Sequence, residues 1–409
     1  MKKNLILTDF KPVVISKKVN QQQLNEYTKY LYWLSAVSNT NKLVFAGSGD
    51  SLDEVNERID RSCATVDKYA IRYDKINQRE ALVFEDVLDF ISRQTSDLPY
   101  EAYPVPEYYA AITEQKFGPK IGQRMDWYKK NTQRAFDALY KQRGAPEHIV
   151  HVSCSGYSSP SVAQQTVADK GWHETGVTHS YHMGCYGAFP GIRIASGIVQ
   201  NTDNCKRVDI VHTELLSNHL NLLECTPENT VISSLFADGF IGYSMYDQET
   251  FRNEVQASHQ SGYRICSSHE VLIPDSTDDM TWDISEYTFL MTLSRKVPLL
   301  IRQSINRFVT ELSAKAGIDF EQEKENMFFA IHPGGPRIIE YIIEELGLNN
   351  NQAKWSHDVL RNNGNMSSAT IPYILNEMLQ SSEIAAGKKI VTMAFGPGLT
   401  ATGLILEKV

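Results

Sequence analysis

From His148 onwards, strand-like runs alternate with helical patterns, and this alternation constrains the fold of the 409-residue chain more than any other feature. The run 148–154 is apolar and β-branched, and it leads through a Ser-rich turn into a helical pattern at 161–170. The same kinds of pattern recur at 177–199, 207–213, 234–244, 297–316, 326–331, 337–346, 389–395 and 399–406. Such alternation predicts an α/β protein whose buried strands are covered by helices. Before His148 the pattern is mostly helical, at 21–38, 52–72 and 120–143.

Composition argues against several classes of function. The net charge of −9 does not favour a nucleic-acid surface. No apolar run reaches the roughly 18–20 residues that span a bilayer. The N-terminal apolar run Leu5–Leu7 is too short for a signal peptide, so we expect a cytoplasmic protein. The six cysteines include no C-x-x-C pair, which argues against a zinc site and against a disulfide framework.

Cys185 occupies a position that favours a reactive thiol. It stands in Met183-Gly-Cys-Tyr-Gly187, between the strand-like run that begins at Val177 and the helical pattern Ile192–Val199. A thiol at such a turn faces the positive end of a helix, where backbone N–H groups stabilise a thiolate. We therefore expect the pKa of Cys185 to lie below the usual value of about 8.5.

Two later segments offer partners for this thiol. His332 follows a strand-like run and precedes Pro-Gly-Gly-Pro336, and Asn365 lies in Gly364-Asn-Met-Ser-Ser-Ala369. Taken singly, each is more typical of a structural residue, a strand-end histidine or a turn asparagine. Together with Cys185 they form a set suited to acyl-thioester chemistry. A thiolate needs a partner for its charge, and a thioester carbonyl needs two hydrogen-bond donors where its oxyanion forms.

Four blocks carry a family resemblance: Gly184-Cys185, His332-Pro-Gly-Gly-Pro336, Gly364–Ala369 and Phe395-Gly-Pro-Gly-Leu-Thr400. In content and order they resemble the signature blocks of type III polyketide synthases, the chalcone-synthase-like branch of the thiolase superfamily. The resemblance extends from about residue 50 to the C-terminus.

The resemblance implies a five-layered αβαβα fold in two thiolase-like halves, residues 1–255 and 256–409, and a homodimer. It implies no cofactor and no metal, with coenzyme A thioesters as substrates. Cys185 would take an acyl group from acyl-CoA. His332 and Asn365 would bind the thioester carbonyl and drive decarboxylation of malonyl-CoA. Repeated condensation would then extend the chain held on Cys185.

Further residues are assigned by the same resemblance. Phe236 and Phe289 match the two gatekeeper phenylalanines at the tunnel mouth. Arg58, Arg61 and Arg337 fall where cations can bind the phosphates of coenzyme A. On their own, the phenylalanines would be read as core aromatics, and the arginines as a solvated helix face or a helix cap.

The chain also departs from the plant enzymes. Asn218 falls where those carry a cavity threonine, and Met280 where they carry a glycine. Both are predicted tunnel residues that change the cavity volume. By analogy with bacterial enzymes, the predicted starter is a fatty acyl group and the product an alkylpyrone or alkylresorcinol.

Other functions stay open at this stage. A ketoacyl synthase III-like or quinolone-type enzyme shares Cys, His and Asn but performs a single condensation, with carrier-protein or CoA thioesters. A non-catalytic descendant would not need all three residues. His173, His179 and His182 cluster near Cys185, but strand alternation and the lack of a nearby carboxylate ligand set argue against a metal site.

Overall fold

The computed structural model describes residues 4–45, 52–93, 98–113, 118–203, 205–221, 225–256 and 260–409. The strands are β1 Leu5–Val13, β2 Lys18–Asn20, β3 Gln78–Glu80, β4 His148–Ser153, β5 Gly176–Tyr181, β6 Arg207–Glu214, β7 Gly239–Asp247, β8 Gly262–Leu272, β9 Met280–Ile284, β10 Phe289–Leu293, β11 Phe328–Ile331, β12 Lys389–Gly396 and β13 Thr400–Lys408. The helices are α1 Gln21–Phe45, α2 Leu52–Tyr69, α3 Leu88–Arg93, α4 Ile121–Leu139, α5 Val162–Asp169, α6 Ala188–Asn201, α7 Pro227–Leu235, α8 Gln248–Thr250, α9 Val297–Ala314, α10 Phe320–Glu323, α11 Pro336–Leu346, α12 Lys354–Asn363 and α13 Thr370–Gln380.

Nine strands form one mixed sheet in the order β11-β12-β13-β8-β1-β7-β6-β4-β5. Strand β4 pairs in parallel with β5 and β6, and β11 pairs in parallel with β12. The antiparallel pairing of β1 with β8 joins the N-terminal strands to the C-terminal ones. Strands β9 and β10 form a separate hairpin, and β2 pairs with β3.

Helices and strands stack in five layers. Helices α6 and α13 share one apolar core with strands from both parts of the sheet, including β4, β6 and β7 on one side and β12 and β13 on the other. Helices α4 and α5 cover the opposite face of the N-terminal strands. Helices α9 and α11 cover the opposite face of the C-terminal strands. The order of layers is helix, strand, helix, strand, helix, which confirms the predicted α/β fold.

Most of the strands and helices predicted after His148 are present, and their predicted ends differ from the observed ones by a few residues. Strands β4, β6 and β11 and helices α5, α9 and α11 lie where they were predicted. The predicted strand at 234–244 was wrong at its start, because α7 extends to Leu235 and β7 begins at Gly239. Strand β1 was missed, although it lies in the middle of the sheet. Its uninterrupted run of apolar residues is only three long, too short to identify a strand from its sequence alone.

Within the described part of the chain, no helix combines the length and the apolar character that crossing a membrane requires.

Candidate active site

Cys185 lies in a short 3₁₀ turn, Gly184–Tyr186, directly before helix α6. The turn connects β5 to α6, and Cys185 is only 7% exposed. Gly184 has a φ of +65°, and a Cβ at this position would come within 2.5 Å of Pro397 Cδ. The residue before the thiol must therefore be glycine, because both its backbone conformation and its contact with the end of β12 exclude a side chain.

Burial raises the pKa of the Cys185 thiol to about 12. Polar groups of Ser367 and Asn365 next to the sulfur act to lower this pKa, whereas the nearby carboxylate of Glu214 acts to raise it. The predicted turn before a helix is present, but the expected fall in pKa is not, because loss of solvent outweighs the effect of the helix terminus. The resting site therefore holds a neutral thiol.

Asn365 is fully buried and held by its backbone on both sides. Its N–H donates to the Leu235 carbonyl at 3.0 Å, and its carbonyl accepts from the Ala237 N–H at 2.8 Å. Its side-chain Oδ1 accepts from the Ser367 N–H at 2.8 Å. The side-chain Nδ2 of Asn365 has no hydrogen-bond partner among the described residues. The side-chain N–H group of Asn365 is therefore a buried hydrogen-bond donor, beside Cys185, that is available to a ligand.

His332 follows β11 directly and is 1% exposed. Its backbone N–H donates to Met393 O of β12 at 2.8 Å. Strand β12 ends at Gly396, which packs so tightly on Tyr186 that a Cβ there would lie 2.2 Å from the ring. His332 and Cys185 thus lie at the same edge of the sheet. Within the described residues neither ring nitrogen of His332 has a hydrogen-bond partner, and burial lowers its pKa to about 3, so the ring is neutral.

A second group of buried polar residues was not predicted from the sequence. Glu214, the last residue of β6, is fully buried and accepts hydrogen bonds from the Cys154 N–H at 3.0 Å, from Cys154 Sγ at 3.3 Å and from Ser155 Oγ at 3.0 Å. It also accepts from Ser368 Oγ. Cys154 Sγ lies 3.0 Å from Ser367 Oγ. Burial raises the pKa of Glu214 to about 7 despite these donors. The only sequence signal was a carboxylate at the end of a buried strand.

A cavity of about 290 Å³ extends from Cys185. Its lining is mostly apolar and includes Cys154, Cys185, Leu216, His219, Ile232, Phe236, Met280, Trp282, Phe289, Met291 and Ser367. Cavities of this kind bind apolar groups and place a few polar atoms at the reacting end. The arrangement can hold an apolar acyl group next to the sulfur of Cys185.

Three of the four predicted tunnel residues line this cavity: Phe236, Met280 and Phe289. Asn218 does not. Its Nδ2 donates to Arg124 O at 2.8 Å, and its Oδ1 accepts from the Tyr108 hydroxyl. The segment Leu216–His219 is a 3₁₀ turn, in which residues three apart share a face. Leu216 and His219 therefore face the cavity, while Asn218 points back into the protein.

Three aromatic rings form part of the wall of the cavity. The His219 and Phe289 rings stack with centroids 4.2 Å apart, and the Trp282 ring meets both edge to face. His219 Nε2 bonds to Ser155 O at 2.7 Å, and Trp282 Nε1 donates to Cys154 O at 2.7 Å. Neither His219 nor Trp282 was singled out from the sequence.

The three predicted phosphate-binding arginines lie outside the cavity lining. Arg58 and Arg61 are on α2, which packs on the cavity-lining helix α7. Just before α7, Cys225 Sγ lies 3.5 Å from Ser62 O of α2. Arg61 is exposed, and its Nε donates to Glu57 O of its own helix at 3.2 Å. Arg337 is exposed in the first turn of α11, five residues after His332.

Known proteins share both sequence and fold with this chain. The profile of the family described as chalcone and stilbene synthases, C-terminal domain, matches residues 264–409. Type III polyketide synthase A of Arabidopsis thaliana is 28% identical over 268 residues, which cover 64% of this chain and 65% of that protein. Type III polyketide synthase C of the same plant is 27% identical over 268 residues, 64% of this chain and 67% of that protein. The aligned segment thus spans about two thirds of each relative.

Two solved structures share the fold over nearly the whole chain. One is the C-terminal type III polyketide synthase domain of Steely1, a type I/III hybrid from Dictyostelium, with a TM-score of 0.75, 21% identity and 99% coverage of both chains. The other is PKS-I from the brown alga Ectocarpus siliculosus, with a TM-score of 0.75, 20% identity, and coverage of 100% of this chain and 99% of that one. Residues 264–409 therefore match the chalcone and stilbene synthase family, and the chain as a whole is similar in sequence and in fold to type III polyketide synthases, which indicates an enzyme of the acyltransferase type.

Proposed function

We propose that the protein loads an acyl-CoA starter on Cys185, extends it by repeated decarboxylative condensation with malonyl-CoA, and cyclises the product to a pyrone or resorcinol. The observation that carries this proposal is a buried thiol in the wall of a mostly apolar cavity, beside Asn365 and at the same edge of the sheet as His332; the side-chain nitrogens of both residues have no hydrogen-bond partner within the described residues. Buried polar groups without partners are rare in folded proteins, and they are expected where a ligand supplies the missing partner.

In the loading step, Cys185 Sγ attacks the carbonyl carbon of the acyl-CoA thioester. His332 takes the thiol proton as the carbon–sulfur bond forms, since its neutral ring can act as a base. The bond to the coenzyme A sulfur then breaks, the coenzyme A thiolate leaves with that proton, and the acyl group stays on Cys185.

In the extension step, malonyl-CoA loses carbon dioxide, and the electron pair of the broken bond passes into an enolate. The enolate oxygen accepts hydrogen bonds from Asn365 Nδ2 and from a protonated ring nitrogen of His332. Two such donors stabilise the negative charge where it develops. The enolate carbon then attacks the Cys185 thioester and the bond to Cys185 Sγ breaks, which leaves a chain two carbons longer on coenzyme A; the departing Cys185 thiolate takes up a proton from solvent.

The apolar lining supports a hydrocarbon starter, as predicted by analogy from the sequence. Arg58, Arg61 and Arg337 remain our candidates for the phosphate contacts. Helix α2 packs on α7, whose residues Asn229, Ile232 and Ser233 line the cavity, so two of the three cations lie on an element next to its wall. We also propose a cytoplasmic homodimer, on the strength of the family resemblance alone.

The test is incubation of the purified protein with malonyl-CoA and a panel of acyl-CoA starters, with products identified by mass. The proposal predicts condensed products that carry more than one malonyl-derived unit and free coenzyme A in matching amounts. Free coenzyme A without condensed product would refute it. Activity only with carrier-protein thioesters, or only single condensation, would favour the ketoacyl synthase or quinolone-type alternative.

A further inference from the structure

We propose that Arg79 is a positioning residue that holds Phe236 and Asn365 in place from behind the cavity. This inference rests on the proposed function, because it assumes that Asn365 stabilises the enolate of malonyl-CoA. Arg79 lies on the short strand β3 and is 4% exposed. It is not part of the cavity lining, so any effect on the reaction must pass through other residues.

The Arg79 guanidinium is directed at the backbone of a cavity-lining residue. Its Nη1 donates to the carbonyl oxygen of Phe236, and its Nε donates to Gln21 Oε1 at 2.9 Å. Gln21 is itself fully buried, and its Nε2 donates to Ser234 O at 2.7 Å. Arg79 and Gln21 thus bind two carbonyls of one segment, at Ser234 and Phe236.

That same segment holds Asn365. Phe236 and Asn365 form an isolated parallel bridge, in which Leu235 O accepts from the Asn365 N–H and the Ala237 N–H donates to Asn365 O. The two hydrogen bonds flank Phe236, whose own carbonyl binds Arg79. The guanidinium therefore binds the carbonyl of the same peptide group whose N–H, on Ala237, donates to Asn365 O.

Close packing adds to these hydrogen bonds. Gly364, with a φ of +72°, is so tightly enclosed that a Cβ there would lie 3.0 Å from Ala237 Cβ and 3.3 Å from Arg79 Cβ. The Asp238 N–H also donates to Glu80 O at 3.0 Å. Three segments of the chain are consequently in mutual contact here: residues 79–80, 235–238 and 364–365. A shift of Arg79 would be transmitted to Asn365 through short, rigid contacts.

Arg79 is charged in the folded protein. Burial lowers its pKa to about 10, while the nearby Asp238 carboxylate acts in the opposite direction. At neutral pH the guanidinium is thus cationic, and its hydrogen bond to the Phe236 carbonyl is charge-assisted, which makes it stronger than a bond between neutral groups.

The decisive experiment is a double-mutant cycle on malonyl-CoA decarboxylation, with the full chain as Arg79→Met, Asn365→Ala and both together. Arg79→Met keeps an unbranched side chain and removes every donor. We expect it to slow decarboxylation by about 10- to 100-fold, since small misplacements of a catalytic group carry costs of this order. In the Asn365→Ala background the same change should have less than about a threefold effect, because the group that Arg79 positions is gone.

Two controls separate positioning from general damage. Alkylation of Cys185 by iodoacetamide, located by peptide mapping, depends on Asn365 through the pKa of the thiol, so Arg79→Met should slow it in the unmodified background and have less than about a threefold effect in the Asn365→Ala background. Arg143 is a second buried arginine, bonded to Asp9 and Ser244 away from the cavity. Arg143→Met should lower the melting temperature while leaving decarboxylation at the same temperature unchanged. Arg79→Lys, which restores a cation, should recover part of the lost rate.

The proposal is overturned if Arg79→Met lowers decarboxylation equally with and without the Asn365 side chain, or leaves the rate of the folded enzyme within threefold. If Arg79→Met does not fold, Gln21→Leu provides the same cycle, since Gln21 orients Arg79 Nε; a loss that persists undiminished in the Asn365→Ala background would again overturn it. Failure of the proposed function looks different, because the unmodified protein would then not decarboxylate malonyl-CoA at all.

Discussion

The two ends of the cavity differ in how their polar groups are satisfied. At the aromatic end, formed by His219, Trp282 and Phe289, the side-chain N–H groups bind the backbone carbonyls of Ser155 and Cys154. The other end holds Cys185, and we call it the catalytic end because we propose that it carries the reaction; behind it, the buried side-chain nitrogens of Asn365 and His332 have no partner among the described residues. One end is complete without a ligand, and the other is not.

Because of this difference, we expect the two ends to recognise different features of a substrate. Unpaired donors at the catalytic end gain their full hydrogen-bond energy only when a carbonyl or enolate oxygen arrives. The three rings of the aromatic end discriminate by shape and volume, because the ring nitrogens of His219 and Trp282 already have hydrogen-bond partners among the described residues. Substitutions at the catalytic end should therefore stop the reaction with every starter, whereas substitutions at the aromatic end should change which starters react.

The largest effect is expected from Cys185→Ala, which should abolish acylation of the protein by acyl-CoA. The measurement is the intact-protein mass after incubation with a starter, followed by peptide mapping. Cys154→Ala is the matched control, since it removes a second thiol from the same cavity and should leave the acyl group on Cys185. An acylated Cys185→Ala protein, above all one labelled at Cys154, would falsify the assignment of Cys185 as the nucleophile.

The next largest effect is expected at the unpaired donors. Asn365→Ala and His332→Gln should each slow malonyl-CoA decarboxylation by about 100-fold or more, the cost of losing one oxyanion donor. Carbon dioxide release in the absence of a starter measures this step directly. His219→Gln at the aromatic end is the control, and we expect its rate to stay within about tenfold of the original. Near-normal rates for either catalytic-end variant would show that its role is misassigned.

The sequence predicted the catalytic end better than the aromatic end, for a physical reason. Cys185, His332 and Asn365 sit at strand ends and turns where glycines mark tight backbone contacts, and the packing of Gly184 against Pro397 and of Gly364 against Ala237 explains those glycines. A glycine next to a polar residue at a strand end is a local pattern, so it can be recognised within one segment of the sequence.

The aromatic end depends on contacts between distant segments. Trp282 and His219 come from β9 and from the turn after β6, and nothing in either segment indicates that their rings meet. Asn218 shows the same limit at the level of one residue, because a 3₁₀ turn decides which of four consecutive side chains faces the cavity. The pKa of Cys185 was mispredicted for a similar reason, since burial cannot be read from the turn that carries the thiol.

A smaller effect, on preference rather than on rate, is expected from Trp282→Ala. Removal of this ring enlarges the aromatic end, so the ratio of kcat/KM for long over short starters should rise by about tenfold. The measurement is a competition among saturated acyl-CoAs from acetyl to palmitoyl. Trp282→Phe is the matched control: it also loses the hydrogen bond to Cys154 O but keeps a ring, so its preference should change little. An unchanged preference in a folded Trp282→Ala enzyme would show that this wall does not limit the starter.

The smallest effect concerns stability and comes from Glu214, which lies at the catalytic end. Burial raises its pKa from 4.5 to about 7, so the folded state holds the proton more tightly than the unfolded chain does. The resulting stabilisation is fully present below pH 4.5 and is lost as the pH rises through 7, at roughly 1.4 kcal/mol for each unit of pKa difference. Glu214→Gln cannot ionise and should lack this loss. The melting temperature of Glu214→Gln relative to that of the unmodified protein should therefore rise by a few degrees from pH 5 to pH 8.

Glu80 and Asp238 also have raised pKa values, but they are present in both proteins and cancel in the difference. If the difference in melting temperature between the two proteins stays constant from pH 5 to pH 8, Glu214 is already ionised at pH 5. The donors from Cys154, Ser155 and Ser368 would then hold it as a carboxylate.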